Sequence, residues 1–175
     1  MKKFGGILQD KSKRPRIHPK RTWLDHLLWF MAISIAASCV LYAIARYPSL
    51  PASIPTKLGA NGQVRSTGPA WTIFIMPGLN AGLVFVMLLI QRWPWISNTI
   101  VGITKDNADV QYRLINRLLS VISIEVSLIF LLVTWDVVNT ALGQPTGALA
   151  FIVLFSTVSW LPIMGWYFWA SFRAA

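Results

Sequence analysis

Carboxylates are scarce in this chain, with six Asp and Glu against sixteen Lys and Arg over 175 residues. There is one cysteine, Cys39, and there are two histidines, His18 and His26. A single cysteine excludes an intrachain disulfide, and Cys and His fall in no zinc-type spacing. No P-loop, dinucleotide fingerprint or nucleophile–base motif occurs, so the usual signatures of enzymatic chemistry are missing. The basic excess has no aromatic interleaving and no groove-reading helix beside it, which argues against nucleic acid as a partner. No internal repeat or low-complexity tract is present.

Apolar sequence is abundant instead: 55% of residues are hydrophobic and nine are Trp. Runs at about 27–46, 70–92, 117–140 and 148–170 are each long enough to cross a bilayer, which takes about 20 apolar residues. Backbone groups in lipid must be satisfied internally, so each run is expected to be a helix. The fold class is therefore an all-α integral membrane protein, a four-helix bundle. Residues 1–23 form a basic tail, 24–175 the membrane domain and 47–69 an outer loop.

Cations orient it. The tail carries Lys2, Lys3, Lys11, Lys13, Arg14, Arg16, Lys20 and Arg21; the next loop on that side has Arg92, Lys105, Arg113 and Arg117, and the C-terminus has Arg173. The other side has Arg46, Lys57 and Arg65. This bias places both termini in the cytoplasm. Ala43–Ala45 resembles a signal-peptide cleavage site, but the apolar run and the basic region before it are too long for one. Capping residues Asp106 and Asn107 precede a helix expected to start near Ala108, project into the cytoplasm and continue into the third span.

Eight cations beside a span favour anionic lipid, about 1 kcal/mol each near the surface. Lys11, Lys13, Arg14, Arg16, Lys20 and Arg21 are the residues expected to make such contacts, or contacts with a partner protein; orientation control alone is the plainer reading. Trp and Tyr cluster near span ends, as interfacial belts do. Trp160 lies deeper, where it either packs between helices or meets a neighbour.

Glu125 and Asp136 are the carboxylates inside the spans. Eleven residues apart, they share a helical face about 16 Å apart along the axis, too far for an acid–base dyad. Asn80 lies at the depth of Glu125 and is its expected partner. Asp136 sits one turn from Asn139, within reach of Arg46, Lys57 or Arg65. Such polar groups either line a pathway or fix helix packing, and packing is the simpler account. Ser120, Ser123, Ser127 and Thr134, together with the pair Gly78 and Gly82, read as packing devices. Pro77 is expected to kink the second span.

The outer loop holds Pro48, Pro51, Pro55, Pro69, three glycines, Lys57 and Arg65, and no acid. Tyr47-Pro48, Leu50-Pro51, Ile54-Pro55 and Gly62 resemble the signature of a bacterial membrane family of unknown function that includes SdpI-type immunity proteins. Asn107, Gln111, Arg117, Trp135 and Gly143 resemble its third span. The resemblance implies a histidine where Lys57 stands, an aromatic at Leu58, Asn or Asp at Gly59 and an acid at Arg65. The scaffold is kept and its coordinating groups are not, so the loop is expected to be an ordered cap without metal, offering Lys57 and Arg65 to another protein or to head groups.

Three readings follow. The first is a non-catalytic accessory subunit of a larger membrane complex of respiratory or photosynthetic kind, with no cofactor of its own and other membrane subunits as partners. The second is an SdpI-like immunity or signalling protein. The third is a small transporter using Glu125 and Asp136.

Overall fold

The computed structural model describes residues 9–59 and 63–175. Its four helices are α1 (Trp23–Arg46), α2 (Ile75–Ile90), α3 (Ala108–Ala141) and α4 (Leu149–Arg173). All four lie in segments long and apolar enough to span a membrane. At 1.5 Å per residue, α2 is only about 24 Å long, short of the roughly 30 Å hydrocarbon layer. A 3-10 turn over Ala70–Phe74 leads into it and makes up the difference. By the same measure α3, about 51 Å, exceeds that layer, and its first turns carry Asp109, Arg113 and Arg117.

Helix α3 is the axis of the bundle. It packs on α1, α2 and α4, whereas α4 rests principally on α3. The α1 face that makes this contact is built of Ala32, Ala36, Cys39 and Ala43, all buried. Small residues at that spacing let two backbones approach closely. On its own surface α3 buries Thr134, which meets Cys39 of that face, and Ser120, Ser123 and Ser127, which meet Gln91, Met87 and Asn80 on the α2 side. Ser123 and Thr134 donate back to Leu119 and Phe130 carbonyls at 2.7 Å, which satisfies both hydroxyls without a water.

Two expectations about α2 are corrected. Gly78 and Gly82 do not pack against a neighbour: a Cβ on either would meet nothing within 4 Å. Pro77 does not kink a long helix, because it falls in the first turn of α2, just beyond the 3-10 turn. A proline costs least there, where few backbone donors have helical partners. The interior proline is Pro162 of α4, and it leaves the Val158 carbonyl without its helical donor.

The α3–α4 turn explains Gly143. Gly143 has φ +80°, and Gln144 N donates to Asn139 O at 2.8 Å, closing the helix with a left-handed residue at its end.

Between α1 and α2 the chain makes an antiparallel hairpin of β1 (Ser53–Leu58) and β2 (Val64–Pro69). The sequence reading expected an ordered cap but no strands. Ile54 pairs with Gly68 and Lys57 with Ser66, and the register breaks on either side of Lys57. These breaks leave Thr56 on β1 and Arg65 on β2 without a facing residue. Gly68 permits close approach, since a Cβ there would sit 2.8 Å from Thr56 Cγ2. Gly62, one of the expected signature residues, lies outside the described residues, as do Lys2 and Lys3.

Candidate functional site: the outer cap, the polar core and the tail-side mouth

The hairpin is sealed onto the bundle by a small apolar core of Ala43, Ile54, Ile73 and Val138, drawn from α1, β1, the 3-10 turn and α3. Ile54 is 1% exposed. Ala70 N donates to Ala52 O at 3.1 Å, and the Tyr47 and Phe74 rings lie 5.1 Å apart, so both feet of the hairpin are tied. A cavity of about 160 Å³ runs beneath it, lined by Ile54, Thr56, Ile73, Met76 and Thr134. On the outside, Lys57 and Arg65 are exposed. Neither forms a salt bridge among the described residues.

Thr134 connects this cavity with a buried polar group at the junction of three helices. Cys39 Sγ and Thr134 Oγ1 lie 3.6 Å apart. The Asn80 side chain faces the Cys39 thiol, and Ser127 donates to Asn80 Oδ1 at 3.1 Å. Asn80 is fully buried, and its Nδ2 has no hydrogen-bond partner in the structure. Cys39 is thus an interhelical contact, in keeping with a small packing residue.

The two in-span carboxylates bind hydroxyls of α4 and of the turn before it. Glu125 Oε1 accepts from Ser159 of α4, not from Asn80, and Oε2 is buried without a partner. Helix rotation decides this: Asn80 points at the Ser127 face of α3, on the other side from Glu125. Asp136 accepts from Thr146 in the α3–α4 turn, so none of Arg46, Lys57 or Arg65 is its partner. Asn139 donates back to Trp135 O at 2.8 Å and plays no part in holding Asp136. Nearer the tail side, Gln111 exchanges bonds with Ser171: Ser171 Oγ donates to Oε1 at 2.7 Å, and Nε2 donates to Ser171 O at 2.9 Å. Gln111, Glu125 and Asp136 therefore form three polar rungs along one α3 face; Gln111 and Glu125 bind α4 and Asp136 binds the turn before it, beside an apolar cluster that includes Tyr112, Ile115 and Tyr167. Trp160 of α4 stays 39% exposed.

At the tail side, residues 9–22 run along the α2–α3 loop. Gln9 forms a two-way pair with Ile103, donating to its carbonyl at 2.7 Å and accepting from its amide at 2.8 Å. Arg14 is 3% exposed and donates to Ser97 O at 2.7 Å. Its guanidinium is thus committed inside the protein and is not on offer to head groups, unlike the expectation for it. Lys11 donates to Ile96 O at 2.7 Å, and Tyr112 to Pro15 O at 2.8 Å. Asp10 caps a short turn; the Ser12 amide, then its hydroxyl, hold that carboxyl below its ordinary range. Lys13, Arg16, Lys20 and Arg21 stay exposed. Backbone carbonyls freed by the irregular 91–103 loop are what the tail satisfies, a signal that side-chain periodicity does not carry.

A clamp joins the start of α1 to α3. Asp25 accepts from the Thr22 amide at 2.6 Å, and Arg117 donates to Asp25 at 2.6 Å and to Thr22 Oγ1 at 3.1 Å. Arg113 pairs with Asp109 one turn away on α3. Sequence reading missed the Asp25–Arg117 pair, although Thr22 and Asp25 stand in capping-box spacing.

Among the described residues no group of three or more His, Cys, Asp or Glu is placed to hold a metal. A family model described as a domain of unknown function, DUF1648, matches residues 34–81. That stretch runs from within α1, through the whole cap, to the residue after Asn80. No curated protein and no solved structure matches the chain.

Proposed function

We propose that this protein is a non-catalytic binding subunit of a larger complex in the bacterial inner membrane, with the tail side in the cytoplasm and the cap outside. The observation that carries this reading is the cap: a hairpin fastened to α1 and α3 by buried Ile54 and Ile73, whose outer surface presents Lys57 and Arg65 without a carboxylate partner. A rigid display of unpaired cations suits an acidic face on a neighbouring subunit, because preorganised charge steers and aligns a partner at little entropic cost. The in-span acids are engaged with hydroxyls of α4 and of the turn before it, which favours packing over transport. Purification in gentle detergent with mass spectrometry tests it. Stoichiometric subunits are expected with the wild type, and Lys57→Glu with Arg65→Glu is expected to deplete them. Undiminished partners with the double variant, or a protein purified alone, overturn the reading.

The DUF1648 match over α1, cap and α2 favours a second reading, an SdpI-like immunity or signalling protein. On that account the cap meets a toxin peptide or a signalling partner. Loss of the gene then sensitises cells to a peptide toxin, while no stoichiometric subunit co-purifies.

A further inference from the structure

We infer that the tail-side end of the α1–α2 groove is a site for an anionic glycerophospholipid. This does not rest on the outer-cap reading, since it concerns the opposite end of the bundle. The groove, of about 380 Å³, is lined by Trp29 and Ile33 of α1, Ala81, Phe85 and Leu88 of α2, and Arg92 at its end. Apart from Trp29 and Arg92 its lining is apolar, and it lies on helices long and apolar enough to cross a membrane. An acyl chain meets no polar group along it that would need a partner.

Trp29 also borders a second, polar cavity, together with Lys20, Arg21, Arg113 and Asn116. Lys20, Arg21 and Arg92 are exposed and form no ion pair among the described residues. The nearby carboxylates are spent: Asp25 on Arg117, Asp109 on Arg113. The mouth therefore carries three uncompensated cations where a phosphate would lie, and its apolar groove starts beside them. This order of charge and grease matches one lipid, not a soluble anion or an apolar peptide.

Selectivity follows from charge. A phosphatidylcholine head group balances its phosphate with its own quaternary ammonium, whereas an anionic head group leaves its phosphate for the cations of the mouth. Asn116, 8% exposed, borders the polar cavity and donates its Nδ2 to Gln91 O at 3.4 Å.

The test uses the full chain, delipidated in detergent, and native mass spectrometry with phosphatidylglycerol or phosphatidylcholine. Phosphatidylglycerol is expected to be retained at least five-fold better. Arg21→Gln and Arg92→Gln are each expected to weaken retention about five-fold, which corresponds to about 1 kcal/mol per cation. Both side chains are exposed and unpaired, so folding is not at stake. Ala81→Trp fills the groove and is expected to abolish retention while elution and helicity stay unchanged. Equal retention of the two lipids overturns the proposal, as does undiminished retention by the two Arg variants. Displacement by equimolar soluble glycerol phosphate makes it a free-anion site, and a protein segment that remains bound in the groove assigns the groove to a partner; either result overturns the lipid assignment.

Discussion

Ser159→Ala removes the hydrogen-bond donor that α4 offers to Glu125, and the resulting loss is predictable from what each side chain has left. In the variant both Glu125 oxygens are buried and unpartnered, since Oε2 already has none. Leaving a buried polar group unsatisfied costs about 1–3 kcal/mol. The converse change is milder. In Glu125→Leu the Ser159 hydroxyl keeps its bond to Ser156 O at 3.2 Å within its own helix. Replacing a buried acid by an apolar side chain of similar volume is often neutral, about 0–1 kcal/mol here. The double variant should then resemble Glu125→Leu, so the coupling energy should equal the Ser159→Ala loss, about 1–3 kcal/mol, at or above the upper end of interhelical bonds measured in membranes. Equilibrium unfolding in mixed micelles, followed by helicity, measures all four corners of the cycle. Glu125→Gln keeps an acceptor for Ser159 and should preserve assembly. A companion cycle between Glu125 and Asn80 should give zero. Coupling below about 0.3 kcal/mol for Glu125–Ser159, within the error of additivity, would refute the reasoning.

Arg117→Ala should destabilise the bundle by about 1–2 kcal/mol, discounted for the partial exposure of the pair, because it unties Asp25 and Thr22 together, whereas Arg113→Ala breaks a pair within one helix and should cost about 0.5 kcal/mol at most; thermal unfolding distinguishes the two. Gly68→Ala pushes a methyl to 2.8 Å from Thr56 Cγ2 and should loosen the cap to protease, while Gly78→Ala meets nothing within 4 Å and should stabilise α2 by up to about 1 kcal/mol from helix propensity alone. In a Cys39→Ala background, an impermeant thiol reagent applied to intact cells should label Arg65→Cys and spare Lys13→Cys; the reverse pattern would invert the proposed topology.

The small residues of α2 and α1 show where sequence reading stopped. Gly78 and Gly82 have the familiar spacing of a packing pair and face no helix, whereas Ala32, Ala36, Cys39 and Ala43 make the close contact. Both patterns are visible in the sequence, but nothing local says which side of a helix has a neighbour. The hairpin had a legible cue in Asn61-Gly62 between Thr- and Val-containing runs; the density of Pro and Gly around it pointed to an ordered cap and not to strands. The tail read as a free basic arm because its anchors are backbone carbonyls of a loop some 85 residues away, such as Ile96 and Ser97.

Hydropathy and charge were enough to specify four helices long and apolar enough to span a membrane and the loops in which cations gather, because transfer into a bilayer is close to a sum over residues and needs no knowledge of neighbours; the start of α3 at Ala108 was legible from its capping residues. Which polar groups meet was beyond that sum. Glu125 and Asn80 share a depth, yet α3 is turned so that Glu125 meets Ser159 and Asn80 meets Ser127. Asp25 and Arg117 stand 92 positions apart and come together because α1 lies along α3. Depth follows from position along a helix; partnership follows from its rotation, and rotation is settled by the packing of all the helices at once.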